Sequence, residues 1–264
     1  MRRLLSCLVL AALLAACAPR PPAPQADEAP TFRITAPDFG DSHPVDFGPQ
    51  HPGTHPVHGI DVSVWQGQID WPAARAGGVN FAFLKATEGG DRTDPAFDAN
   101  WRAARAAGVP RGAYHFFYHC RPAVEQARWF ISHVPRESGA LPPVLDMEWN
   151  HRSPTCPGKR PKDEVQAEAR IFLNLLTRHY GQRPILYTTV DFYEENQLWQ
   201  IGGVDFWLRS TAAHPSDRYP GQHWLIWQYS GTGQVPGIAG KVDLNAFAGS
   251  RRDFLSWLAA QGYR

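Results

Sequence analysis

"LPPVLDMEWN", residues 141–150, is a short apolar run that carries two acids. Leu141, Val144, Leu145, Met147 and Trp149 read as a buried strand, entered through Pro142 and Pro143. Carboxylates rarely lie in such a run unless they are paired or put to use. Asp146 and Glu148 stand at i and i+2, so on a strand they share one face, about 7 Å apart.

Seven similar runs flank this one: "VHGIDVSVW" (57–65), "VNFAFLKA" (79–86), "RGAYHFFY" (111–118), "PILYTT" (184–189), "VDFWLRS" (204–210), "WLIWQYS" (224–230) and "KVDLNAF" (241–247). Amphipathic stretches at 95–107, 122–133 and 163–180 separate the earlier ones and predict helices. Pro95 and Pro122 suit helix starts, Gly108 and Gly181 helix ends. The gaps after the fifth strand are short and poor in helical pattern. The expected fold is therefore α/β: a single irregular TIM-like β/α barrel with eight strands and fewer than eight full helices, spanning 57–264.

The acids recur where such a barrel does its chemistry. Asp61 ends the first strand, Asp146 and Glu148 end the fourth, and Asp243 lies in the eighth. Two carboxyls this close compete for ionisation, and partial burial adds to the effect, so one keeps a proton while the other stays charged. A proton donor beside a fixed anion is what cleaving a glycosidic bond requires. A lone D-x-E would more simply be a surface pair or a helix cap; four acids on three strands of an aromatic-rich domain are not so easily dismissed. All ten tryptophans fall at or after Trp65, inside the expected domain, where aromatic side chains serve equally as core or as sugar-stacking surface.

The chain opens "MRRLLSCLVLAALLAACAPR". Arg2 and Arg3, then an apolar stretch, then small residues form an export signal over 1–16, too short to span a membrane comfortably. Its ending, "LLAAC", resembles the lipobox of bacterial lipoproteins, which implies lipidation of Cys17 and a membrane partner through that anchor. The expected location is extracytoplasmic, at the periplasmic face of the outer membrane if the source is Gram-negative, since Ala18 is not an aspartate. Residues 17–56 hold ten of the 24 prolines and few large apolar side chains, and so read as a disordered tether. His43, His51 and His55 there, with His58 just beyond, read as solvated linker histidines rather than metal ligands. Cys120 and Cys156 remain for the domain; in an oxidising compartment they form a disulfide, with reactive thiols as the alternative. The net charge of +1 and the lack of a basic stripe argue against a nucleic-acid partner. No cofactor or metal is implied, and a monomer is expected.

The run of matching motifs resembles glycoside hydrolase family 25, the muramidase (lysozyme) family. The similarity lies in "GIDVSVWQGQIDW" (59–71), "FAFLKATEGGDRTDPAFDANWRAARAAGVPRGAYHFF" (81–117), "LPPVLDMEWN" (141–150), "PILYTT" (184–189) and "WQYSGTGQVPGIAGKVDLNAFAG" (227–249). The resemblance implies an irregular barrel acting on peptidoglycan glycan strands at the β-1,4 bond between N-acetylmuramic acid and N-acetylglucosamine. It implies Glu148 as general acid, Asp146 as the carboxylate orienting the substrate's 2-acetamido group, and Asp61 and Asp243 as further acids of the groove. Tyr114, Phe116, Tyr187, Trp207, Arg209, Trp227 and Tyr229 are candidate substrate contacts; each aromatic could instead be core. Arg209, in "FWLRS", departs from the small residue expected there, and reaches either a carboxylate or the lactyl group of muramic acid, or serves a structural ion pair. Lys85 and Glu88 read as a charge pair beneath the groove, and Trp65 as core or groove floor. Two other functions remain open: a catalytically silent peptidoglycan-binding lipoprotein on the same fold, and a hydrolase of chitin-like polymers.

Overall fold

The computed structural model describes residues 32–150 and 153–263. In chain order the elements are β1 (Gly40–Asp41), β2 (His58–Val62), α1 (Trp71–Ala76), β3 (Ala82–Glu88), β4 (Arg92–Thr93), α2 (Phe97–Ala106), β5 (Arg111–Phe116), α3 (Ala123–His133), β6 (Val144–Met147), α4 (Lys162–Tyr180), β7 (Ile185–Thr188), α5 (Val190–Asn196), β8 (Asp205–Arg209), α6 (Pro215–Arg218), β9 (Ile226–Gln234), β10 (Val242–Phe247) and α7 (Arg251–Ala260). Eight of the strands close a barrel in the order β2-β3-β5-β6-β7-β8-β9-β10 and back to β2. These are the eight apolar runs of the sequence. All pairs from β2 to β9 are parallel, whereas β10 runs antiparallel to both of its neighbours. Asp243 therefore stands at the start of its strand, yet on the same rim as the strand ends that carry the other acids.

The side-chain alternation of the strands separates two cores. Outward residues such as Leu84, Leu145, Met147 and Leu186 pack under the helices. Inward residues Phe81, Phe83, Val144, Ile185, Trp207, Ile226 and Phe247 fill the barrel. Phe83 lies against Trp207 with ring centroids 4.9 Å apart. Gly112 allows this floor to form: a Cβ there would stand 2.5 Å from the Phe83 ring. Helix α7 closes the lower end by pressing Phe254 between Phe81 and Phe247.

Helices α2, α3 and α4 coincide with the amphipathic stretches. In α4, Asp163 and Glu164 occupy the first turn and Arg178 and His179 the last, each complementing the helix dipole. Gly181 ends it in the left-handed region at φ 71°, which glycine enters without steric cost. Helices α1, α5 and α6 are short, and α7 lay outside the expected pattern.

The expected tether is corrected for its described part. Residues 32–56 pack on the barrel, so the folded unit begins at Phe32 rather than at residue 57. Strand β1 pairs antiparallel with β9. Phe47 meets Trp227 edge-on at 5.1 Å, Phe39 meets His58 at 6.3 Å, and Phe32 lies against Phe254 and Tyr263. The physical reason is that the outer face of β9 presents Trp227 and Tyr229 without a long helix to cover them. This segment supplies the cover. His58 is accordingly buried, with its ring nitrogens on the Tyr229 hydroxyl at 3.0 Å and the His55 carbonyl at 2.9 Å, and burial lowers its pKa to about 4. The signal segment and Cys17 lie outside the described residues. No helix among the described residues is long and apolar enough to cross a membrane.

Candidate active site

The upper rim of the barrel opens into a cavity of about 370 Å³. Asp61, Asp146, Glu148 and Asp243 all line it, together with Tyr114, Phe116, Tyr187, Trp207 and Arg209. Strand alternation accounts for the grouping: Tyr114 and Phe116 share a face of β5, Trp207 and Arg209 a face of β8, and Asp146 and Glu148 a face at the end of β6. Trp227 and Tyr229 do not join them. On β9 the inward residue is Gln228, so its two aromatic neighbours point outward; Trp227 donates its indole N–H to the Ser210 carbonyl at 2.8 Å, and Tyr229 holds His58. Both are corrected from substrate contacts to packing residues.

A chain of polar side chains fixes Asp61. The Tyr187 hydroxyl donates to Gln228 Oε1 at 2.9 Å. Gln228 Nε2 and Asn245 Nδ2 donate to Asp61 Oδ2 at 2.9 and 2.7 Å. Trp207 Nε1 donates to Asn245 Oδ1 at 2.8 Å. The Tyr187 proton is thus committed, leaving only its oxygen lone pairs to a ligand. Gln228 and Asn245 were not among the expected site residues. Alternation signals both: Gln228 stands opposite two outward aromatics, and Asn245 is two residues from Asp243.

The four carboxyls differ in environment. Burial pushes Asp61 up to about 6, although the two amide donors and Arg209 pull it back. Asp243 is the residue directly opposite Asp61 across the antiparallel β10–β2 pair, so their Cβ atoms face each other at about 5 Å and the Asp61 charge bears on Asp243. Burial first and that charge second lift Asp243 to about 8. Asp146 is raised by burial and by the nearby Glu148 charge, with Lys85 opposing; its Oδ1 is buried with no hydrogen-bond partner among the described residues. Glu148, half-buried at the mouth, is raised by burial and lowered by Arg209. Lys85 pairs with Glu88 at 2.5 Å and lies over the Phe116 ring. The expected charge pair is present, and its lysine end borders the cavity.

This crowding predicts a stability signature. The folded pKa of Asp243, about 8, lies above the ordinary 3.8. Its contribution is favourable below about pH 4 and is lost as pH rises through about 8. Asp243→Asn cannot ionise, so its melting temperature should exceed the parent's by on the order of 5 °C at pH 8, with the gap closing at pH 4. Thermal melts at the two pH values check this; equal melting temperatures at pH 8 would refute it.

Two more features border the site. Cys120 and Cys156 form a disulfide with Cα atoms 5.5 Å apart, joining the segments that follow β5 and β6. Trp65 is neither core nor floor: it lines the cavity and is 84% exposed.

Known proteins agree with this geometry. Residues 60–238 match the model of glycosyl hydrolases family 25. Lysozyme M1 of Streptomyces globisporus is 36% identical over 225 residues, covering 77% of this chain and 71% of that protein. The uncharacterized protein YegX of Escherichia coli O157:H7 is 36% identical over 215 residues, covering 78% and 75%. The structure of a family 25 glycosyl hydrolase from Bacillus anthracis matches with a TM-score of 0.72 at 34% identity, covering 82% of this chain and 98% of that one. A bacterial lysozyme from Streptomyces coelicolor matches with a TM-score of 0.68, also at 34% identity, covering 78% and 98%. With its barrel, its rim of four acids and a match over most of its length, the chain is a glycoside hydrolase and belongs to glycosyl hydrolase family 25.

Proposed function

We propose that the protein is a peptidoglycan muramidase, hydrolysing the β-1,4 bond between N-acetylmuramic acid and N-acetylglucosamine. The observation that carries this is the pairing of Asp146 and Glu148 at one strand end, one deep with an oxygen that has no partner among the described residues, the other at the open mouth. In the reading we favour, the Glu148 carboxyl gives its proton to the glycosidic oxygen as the bond to the anomeric carbon breaks. The carbonyl oxygen of the substrate's own 2-acetamido group closes onto that carbon. Asp146 Oδ1 accepts the acetamido N–H. Water then attacks the anomeric carbon, the bond from that carbon to the acetamido oxygen breaks, and Glu148 recovers a proton from the water.

The electrostatics favour this division once substrate is bound. Two adjacent buried carboxyls do not both ionise without cost, so the empty pair retains a proton. An amide N–H offered to Asp146 stabilises its charge and leaves the proton with Glu148. Asp61, held by two amides, and Asp243 shape the field on the opposite wall.

The lysozyme relatives support a cell-wall substrate, and with it an extracytoplasmic place of work; lipid anchoring through Cys17 is part of the proposal. The test is mass spectrometry of borohydride-reduced products from purified peptidoglycan. Muropeptides ending in reduced muramic acid are expected. Products ending in reduced glucosamine, or none at all, would overturn the assignment.

Arg209 sets the alkaline limit in this scheme. Its charge lowers the pKa of Glu148, Asp61 and Asp243. Without it Glu148 holds its proton to higher pH. Arg209→Met is therefore expected to move the alkaline limb of the pH–kcat/KM profile upward, raising the ratio of activity at pH 9 to that at pH 6 several-fold. A limb that stays put or moves down would show that Arg209 does not act on the proton donor.

A further inference from the structure

Trp65 is unlike the other nine tryptophans. It is 84% exposed, against 51% for Trp199, the next most exposed of the large apolar side chains. Leaving an indole in water forgoes the stabilisation that burial would provide. Its indole meets neither an aromatic ring nor a hydrogen-bond partner among the described residues, although it borders the catalytic cavity.

The backbone beneath it is held firmly. Val64–Gln66 forms one 3-10 turn, whose start is fixed from both sides: the Ser63 hydroxyl accepts from Trp65 N, and Gln66 Oε1 accepts from Ser63 N at 2.8 Å. Gln66 Nε2 reaches across to the Lys241 carbonyl at 3.1 Å. Asp94, itself buried, accepts from Val64 N at 2.9 Å. The turn is thus tied to the segments after β4 and before β10. An exposed ring on a mobile loop would carry little meaning, but a pre-set ring at a cleft mouth is a recognition surface whose ordering cost is already met.

Position suggests the occupant. Around the barrel, β2 is separated from β6 by β3 and β5, so Trp65 stands across the mouth from Glu148. A glycan strand cut at Glu148 and crossing the mouth brings a neighbouring sugar over this turn. The flat apolar face of an indole fits the C–H face of a pyranose ring, while the cavity's polar groups serve the reacting sugar.

We infer that Trp65 is a sugar-stacking platform that holds a pyranose ring of the glycan strand at least one residue away from the bond being cut. This rests on the muramidase reading for the identity of the strand, but not for the contact itself. It assigns Trp65 to binding and positioning, with no role in proton transfer.

The full chain carrying Trp65→Ala is compared with Trp65→Phe and the parent on purified peptidoglycan. Trp65→Ala is expected to lose 10- to 100-fold in kcat/KM, mostly through KM, with the pH profile unchanged. Trp65→Phe should recover most of the loss, which a merely structural role would not predict for an exposed ring. In a Glu148→Gln background, retention on pelleted peptidoglycan should weaken at least tenfold with Trp65→Ala and little with Trp65→Phe. Cleavage and retention both within twofold of the parent for Trp65→Ala would overturn the assignment. Should the parent release no reduced muramic acid ends, the muramidase reading falls, and the retention series still decides the role of Trp65.

Discussion

Glu148→Gln is expected to lower kcat on peptidoglycan by about a thousandfold or more, while the variant melts no lower than the parent. General acid catalysis is worth roughly 10²- to 10⁴-fold, and here the leaving group is a sugar hydroxyl that departs poorly without a proton. Glutamine keeps the size and packing of Glu148 but has no acidic proton to give. It also removes one of several carboxyls that burial and mutual repulsion hold above their ordinary pKa, so the fold loses nothing electrostatic. A paired measurement sharpens the result. A substrate with a nitrophenol leaving group needs no proton, so Glu148→Gln should recover much of its rate there. Asp146→Asn should not, because its loss falls on the acetamido group rather than on the leaving oxygen. Equal recovery by both variants, or more than a few per cent of parental activity for Glu148→Gln on peptidoglycan, would remove Glu148 from the role of acid.

Much of this site was legible in the chain because strand alternation is strict. Asp146 and Glu148 share a face by spacing alone, and the same rule places Tyr114 with Phe116 and Trp207 with Arg209. The rule was also the source of an error. Trp227 and Tyr229 share a face, but the face is the outer one, and only the polarity of Gln228 between them signals it. Direction is another matter: a period of two identifies β10 as a strand without saying which way it runs. Asp243 reaches the rim through an antiparallel turn from β9 that no local pattern announces. Trp65 was illegible for a related reason. Its neighbours in "DVSVWQG" look like the end of a buried strand, yet the chain turns at Ser63, and the side chain that follows is left in water.

The segment before the barrel has the composition of a tether, yet from Phe32 onward it belongs to the folded unit. A chain beginning at residue 57 is expected to fold poorly or not at all, whereas one beginning at residue 32 keeps the full barrel. Ten prolines among residues 17–56 suggest an extended chain, but extension is what a strip laid along a sheet requires. What matters is whether the strip carries enough to bury. Phe32, Ile34, Phe39, Phe47 and Pro52 do so. Backbone bonds join Asp38 N to the Gly77 carbonyl at 2.8 Å and Ser42 N to the Thr232 carbonyl at 3.0 Å. Asn80, wholly buried, exchanges two bonds with the Thr35 backbone at 2.9 Å each. Removing the segment uncovers Trp227, Tyr229 and His58 together and takes both Thr35 backbone partners from the Asn80 amide, which keeps the Gly78 carbonyl at 2.9 Å. Four partly buried large side chains at about 1 kcal/mol each, with two lost hydrogen bonds at about 0.5–1.5 kcal/mol each, come to roughly 5–7 kcal/mol. Native stability is itself only about 5–15 kcal/mol, so the shortened chain stands at the edge of unfolding. Its melting temperature should fall by well over 10 °C, with exposed apolar surface that binds a hydrophobic dye. Equal melting temperatures for the two chains would mean that the strip merely rests on the barrel. A fall of the expected size makes it part of the hydrolase domain, doing for β9 what a helix does for the other strands.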